Sequence, residues 1–324
     1  MILIDKIIFL FAINLILYFS HIKISKIINV YDKPDKFLKK HHAPISVLGG
    51  FYFYINFFFI FFFFNNNFYY DNEIYLFIFF VSATLVFLIG FLDDKYKLNY
   101  ILRFFILSFS IAALIFIDSN FLIKNIYVDT FNLNIHLNFI QSFTFTLFSV
   151  MIFIFAFNML DGIDLQIGFY TFFIFLFFIF KNLNFAIFLS FLVPLLFFLY
   201  LNFKKKIFLG DGGTYLLAFI ISYFAIKNYN LNLLKVEEIF LFMMLPGVDI
   251  LRVFFVRLSL KKNPFFGDLN HIHHVVINKF SLVTSVTLIQ LLNILPSFIF
   301  YLFGSFYTSL CVFLLLYIYL IKKS

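Results

Sequence analysis

Residues Val86 to Lys97 read VFLIGFLDDKYK, an apolar run suited to hydrocarbon that stops on two adjacent carboxylates, Asp93 and Asp94. If the apolar part is a membrane helix, the pair marks a bilayer edge. Composition supports that premise: of 324 residues 64% are hydrophobic and 12% charged, too little polar surface to clothe a soluble globule. Crossing about 30 Å of hydrocarbon takes about 20 helical residues, and runs of that kind recur from end to end. The expected fold is all-α, a polytopic integral membrane protein forming a single domain over 1–324. Its eleven expected spans lie at about 2–20, 48–64, 74–92, 99–117, 142–160, 165–180, 185–201, 213–229, 236–254, 283–303 and 305–321.

Alternating the loops places 19 of the 24 basic residues on one side, which the positive-inside rule makes cytoplasmic, with the N-terminus out and the C-terminus in. The first run lacks a small-residue cleavage site and is read as a retained span. The lone cysteine, Cys311, excludes an internal disulfide and a cysteine metal cage. The net charge of +8 suits anionic lipid or anionic substrates, and no basic stripe has room to bind nucleic acid. The 60 Phe with no Trp read as AT-rich coding bias and carry no functional weight.

The same alternation sends ten of the eleven Gly, six of the seven His and all three Arg to the basic side. Such clustering points to one site assembled from several loops. By itself Asp93-Asp94 reads most simply as a solvated helix end balanced by Lys95 and Lys97; desolvated, it becomes a proton acceptor or metal ligand. FNMLDGIDLQIG, Phe157 to Gly168, spaces Asn158, Asp161 and Asp164 three apart, on one face if helical. Should the chain break at Gly162, freed backbone groups can bind a polar ligand; otherwise Gly162 ends the helix and the Asp residues are solvated caps. KKKIFLGDGGTY, Lys204 to Tyr215, sets a basic triplet before glycines at a helix start, where anions are favoured, and Asp211 offers a hard oxygen to Mg2+. PFFGDLNHIHHVV, Pro264 to Val276, brings His271, His273 and His274 near Asp268. Imidazoles beside Arg257 suit phosphate better than zinc, which adjacent His residues without cysteine coordinate poorly.

The order of these motifs is distinctive: basic loop, Gly-Gly, Asp-Asp, Asn-x-x-Asp-Gly-x-Asp, Phe-x-Gly-Asp-x-Gly, Pro-x-x-Asp, His-x-His-His. It resembles the polyprenyl-phosphate N-acetylhexosamine-1-phosphate transferases, the family of MraY and WecA, over about residues 30–280. The resemblance implies transfer of an amino-sugar phosphate, GlcNAc-1-phosphate foremost, from a UDP-N-acetylhexosamine to undecaprenyl phosphate. UMP is released, a lipid-linked envelope glycan is initiated, and Mg2+ is required, with Mn2+ as a substitute. It further implies a multi-pass protein of the bacterial inner membrane with a cytoplasmic-face site, and a homodimer as its assembly. Carried over, Asp211 is the main metal ligand with Asn158 beside it, Asp93 the base toward the lipid phosphate, and Asp94 an orienting carboxylate. Asp161, Gly162, Asp164 and Phe208 fall to the nucleoside side, and Arg103, Arg257 and His271, with His273 and His274, to the diphosphate. His-x-His-His resembles the WecA branch, whereas MraY-like chains carry three consecutive His and would act on phospho-MurNAc-pentapeptide. A transporter or flippase of lipid-linked sugars would instead line a path at the midplane. Two positions depart from the family pattern: Leu165 stands where relatives usually have Gly, and Ser46 where they usually have Pro.

Overall fold

A computed structural model describes residues 3–34, 43–65, 68, 73–262 and 270–323. A helix lies on each of the eleven expected spans. In chain order they are α1 (Leu3–Ile28), α2 (Gly49–Phe63), α3 (Glu73–Tyr96), α4 (Tyr100–Ile117), α5 (Phe139–Leu160), α6 (Gln166–Phe180), α7 (Phe185–Phe203), α8 (Gly210–Asn230) and α9 (Val236–Ser259). A six-residue helix, α10 (Ile272–Ile277), precedes α11 (Leu282–Phe303) and α12 (Phe306–Lys323). Seven are long and apolar enough to cross a membrane, and α2, α6 and α12 are shorter apolar helices. Two small antiparallel ribbons complete the description: β1 (Tyr31–Asp32) with β2 (Ile45–Ser46), and β3 (Asn125–Val128) with β4 (Leu133–His136). The chain is an all-α polytopic membrane protein.

Helix α8 is the axis of the bundle. Every residue from Gly212 to Asn228 is buried, the condition of a helix that meets protein on all sides. Its closest neighbour is α3, and small residues set the approach, as in membrane helix pairs generally. A β-carbon on Gly90 would lie 2.4 Å from the carbonyl oxygen of Asp211, and one on Gly50 2.4 Å from the nitrogen of Gly213. Several of the glycines around the Gly-Asp-Gly-Gly stretch therefore serve backbone approach between helices.

The start of α8 is pinned from two directions. Gly49 and Gly50 donate their N–H groups to the carbonyls of Phe208 and Leu209 at 2.9 Å each, tying the first turn of α2 to the loop before α8. The N–H groups of Asp211 and Gly212 donate to the two carboxylate oxygens of Asp94 at 3.0 and 3.1 Å. A side chain from α3 thus caps α8, satisfying donors that a helix start leaves orphaned. The anion at this helix start is thus a carboxylate of the chain itself.

Candidate active site

The loops at the α8 N-terminal end enclose a cleft of about 520 Å3, whose walls include Asp94, Asn158, Asp161, Gly162, Asp164, Phe208, Asp211 and His274. Separate segments contribute, among them the β1–β2 ribbon, the end of α3, the α5–α6 turn, the α7–α8 turn and α10. A larger cavity of about 1180 Å3 lies at the other end of α8 around Lys227 and Tyr229, and among the described residues no carboxylate lines it. The smaller cleft, which brings together the Asp residues of three motifs and His274, is the candidate site.

Helix α5 ends at Leu160, so Asn158 sits in its last turn and Asp161 is its C-cap, with Asp164 in the turn beyond. The helix stops before Gly162, so Asn158, Asp161 and Asp164 do not share one helical face. Desolvation in the cleft, with the negative charges of Asp164 and Asp94, pushes Asp161 up to about 7. The Asn158 side-chain oxygen accepts from the Thr214 hydroxyl at 2.7 Å, which holds the amide beside Asp211.

Leu165 adopts φ +70°, ψ −20°, a left-handed conformation that favours Gly; the departure from the family pattern falls on the residue whose backbone most needs one. Its N–H donates to the Asn202 side-chain oxygen at 2.6 Å, while the Asn202 amide nitrogen donates to the carbonyl of Ile207 at 3.0 Å. One buried amide from the end of α7 therefore staples the two loops that carry Asp161–Asp164 and Phe208–Asp211. Sequence reasoning missed Asn202 because a single Asn in an AT-biased chain gives no signal. Lys97 and Lys205, the latter from the basic triplet before Gly210, also reach the cleft wall.

Asp93, Arg103, Arg257, His271 and His273 are not among the residues that line the cleft. Asp93 is 4% exposed; one oxygen accepts from the Leu98 N–H at 2.7 Å and the other from the Arg103 guanidinium. Arg103 Nη1 reaches Asp211 Oδ2 and the Tyr215 hydroxyl, both at 3.3 Å. Arg257 is buried near the end of α9. His271 Nδ1 lies 2.8 Å from Asp249 Oδ2, the Asp of Pro-x-x-Asp. The other Asp249 oxygen accepts from Arg252 at 2.8 Å and from the Tyr317 hydroxyl at 2.9 Å. A residue of the last helix, outside the stretch of family resemblance, thus braces the His loop. His273 stacks parallel to His271 with ring centroids 5.8 Å apart, and burial, with His274 and His271 nearby, holds its imidazole well below the ordinary range and so neutral. Asp268 lies outside the described residues.

Among the described residues no group of three or more His, Cys, Asp or Glu is arranged to hold a metal ion. Mg2+ takes one or two carboxylates and completes its shell with water and substrate phosphates. The donor set is hard oxygen throughout: Asp211, with Asp93 bound to the same guanidinium and the Asn158 amide one turn of α8 away through Thr214. A cation, the Arg103 guanidinium, already sits between Asp93 and Asp211.

The glycosyl transferase family 4 profile matches residues 76–229, from α3 to the end of α8. Undecaprenyl-phosphate alpha-N-acetylglucosaminyl 1-phosphate transferase of Thermotoga maritima is 27% identical over 264 residues, 79% of this chain and 78% of that protein. The enzymes of that name from Escherichia coli O157:H7 and Haemophilus influenzae are each 26% identical, covering 83% and 77% of this chain and 74% and 72% of their own lengths. Motif order, cleft and these similarities agree in supporting the superfamily of MraY and WecA, with the chain similar to its WecA-like side.

Proposed function

We propose that this chain transfers GlcNAc-1-phosphate from UDP-GlcNAc to undecaprenyl phosphate, releasing UMP. The observation that carries this reading is the cleft itself, which joins Asp94, Asp161, Asp164, Phe208 and Asp211 at one end of a bundle of membrane helices. A lipid phosphate can arrive there from the bilayer while a soluble nucleotide enters from water. The distribution of basic residues favours the cytoplasmic face of a bacterial inner membrane. A homodimer remains part of the proposal by resemblance alone.

In the reaction an oxygen of the lipid phosphate attacks the β-phosphorus of UDP-GlcNAc. A new P–O bond forms as the bond to the UMP oxygen breaks, and UMP leaves with that electron pair. Phosphoryl transfer of this kind asks mainly for positioning and charge neutralisation. Asp211, with Asn158 adjacent, would hold Mg2+, whose contribution when bound is to neutralise charge on the diphosphate. Asp93 takes a proton from the lipid phosphate once Arg103 releases it. Asp94 fixes the start of α8, and so the backbone that carries Asp211. Phe208 and Asp164 shape the nucleoside end, while Lys97, Lys205 and His274 supply donors toward phosphate oxygens.

The test is purified protein with undecaprenyl phosphate, Mg2+ and a panel of UDP-sugars, following lipid-extractable product. UDP-GlcNAc should be the preferred donor; faster turnover of UDP-MurNAc-pentapeptide would move the chain to the MraY-like reaction. Asp211→Asn should lose about two orders of magnitude or more, because the electrostatic contribution is usually the largest in such sites. Retained activity in that variant removes Asp211 from the metal role.

A further inference from the structure

Arg103 does not make the ion pair expected of a settled arginine. A guanidinium presents five N–H donors in a planar fork and pairs best with a carboxylate through two of them. Here a single nitrogen, Nη1, is shared among Asp93, Asp211 and the Tyr215 hydroxyl. Its Nε is buried without a hydrogen-bond partner. Helix α4 delivers the side chain from its first turn, where the Asn99 side chain caps the helix by accepting from the Ile101 N–H. The backbone that carries Arg103 is therefore fixed, and the long side chain is the adjustable part.

A dication on Asp211 would sit about 2.1 Å from a carboxylate oxygen, and Arg103 Nη1 stands 3.3 Å from the Oδ2 of that group. Two cations cannot share those oxygens at that range without strong repulsion. The same guanidinium is matched in shape and charge to a diphosphate, which offers paired oxygens in place of its shared, half-satisfied contacts. We propose that Arg103 is a placeholder cation. It neutralises Asp93 and Asp211 while the site is empty, and passes to the donor's diphosphate as the metal enters. Metal and nucleotide are then taken up together, free metal binds poorly, and Asp93 is freed as a base only when both substrate charges are in place. This rests on the reading of Asp211 as the metal ligand.

Mn2+ bound to the purified full-length protein, followed by the loss of its free EPR signal, tests this without reference to turnover. Titrations are run with and without UDP-GlcNAc and corrected for Mn2+ held by the nucleotide in solution. In the wild type UDP-GlcNAc should tighten Mn2+ by about tenfold or more, within the usual range of site-to-site coupling. Arg103→Met, which keeps length and removes charge, should bind Mn2+ alone about tenfold more tightly than wild type and lose most of the coupling. Asp211→Asn serves as the control. If it leaves Mn2+ binding intact, the metal reading fails; if it abolishes binding while Arg103→Met binds no tighter than wild type, the placeholder is overturned. Should Arg103→Met not fold, the wild type still decides, because equal Mn2+ affinity with and without UDP-GlcNAc contradicts the proposal.

Discussion

Gly162 and His273 meet with no room between them: a β-carbon at Gly162 would lie 1.8 Å from the imidazole Nε2. The sequence assigned both residues to substrate, yet the first thing each does is accommodate the other. Gly162→Ala must push His273 aside, and the expected result is a loss of about tenfold or more in kcat/KM with helix content unchanged. In a His273→Ala background the same substitution should cost much less, since coupled neighbours are not additive; steady-state kinetics of the cycle measures this. Equal costs in both backgrounds would show that Gly162 acts on substrate directly.

Asp161 gives a second prediction at this scale. Its carboxyl is raised from 3.8 to about 7, so the fold favours the neutral form. The stability contributed by this group is full below pH 3.8 and is lost as pH rises through about 7. Asp161→Asn, permanently neutral, should therefore flatten the decline in thermal stability between pH 5 and pH 8 that the wild type shows, in protein free of metal and nucleotide. An unchanged decline would place the titrating group elsewhere. Both effects were illegible in the sequence, because neither a Gly–His contact nor the desolvation of one carboxylate has a local signature. Leu165 was legible: a residue that replaces a usual Gly after the second Asp proves to hold the left-handed φ that explains the family's preference.

At the scale of elements, helix ends do most of the positioning. Asn202 closes α7 and bonds to both cleft loops, through the Leu165 N–H and the Ile207 carbonyl. Asn202→Ala leaves two buried backbone groups unpaired, at about 1–3 kcal/mol each. The expected outcome is a lower unfolding temperature together with a raised KM for the nucleotide sugar, since the loops it ties carry Asp164 and Phe208. Thermal unfolding and KM measured on the same preparation check this; a fall in stability with KM unchanged would reduce Asn202 to a structural residue. The motifs revealed the loops as a group, since Gly, Asp and His clustered on one side. They did not reveal the staples, because amide-to-backbone bonds follow no spacing rule.

For the whole molecule, span positions were legible because crossing hydrocarbon fixes both length and composition. The burial of α8 was not. Packing shows that α8, which is less apolar than its neighbours, is enclosed from Gly212 to Asn228. The glycines were likewise noticed for phosphate approach, whereas Gly50 and Gly90 let α2 and α3 close on the start of α8. That closure, with Asp94 as the cap, sets Asp211 against Asp93, and the proposed chemistry depends on it. The most direct measurement uses UDP-GlcNAc labelled in its β-phosphate, incubated with protein, undecaprenyl phosphate and Mg2+. Transfer of the sugar phosphate predicts that the label enters the lipid together with GlcNAc and that UMP is released. Label retained in UDP while GlcNAc alone reaches the lipid would contradict it.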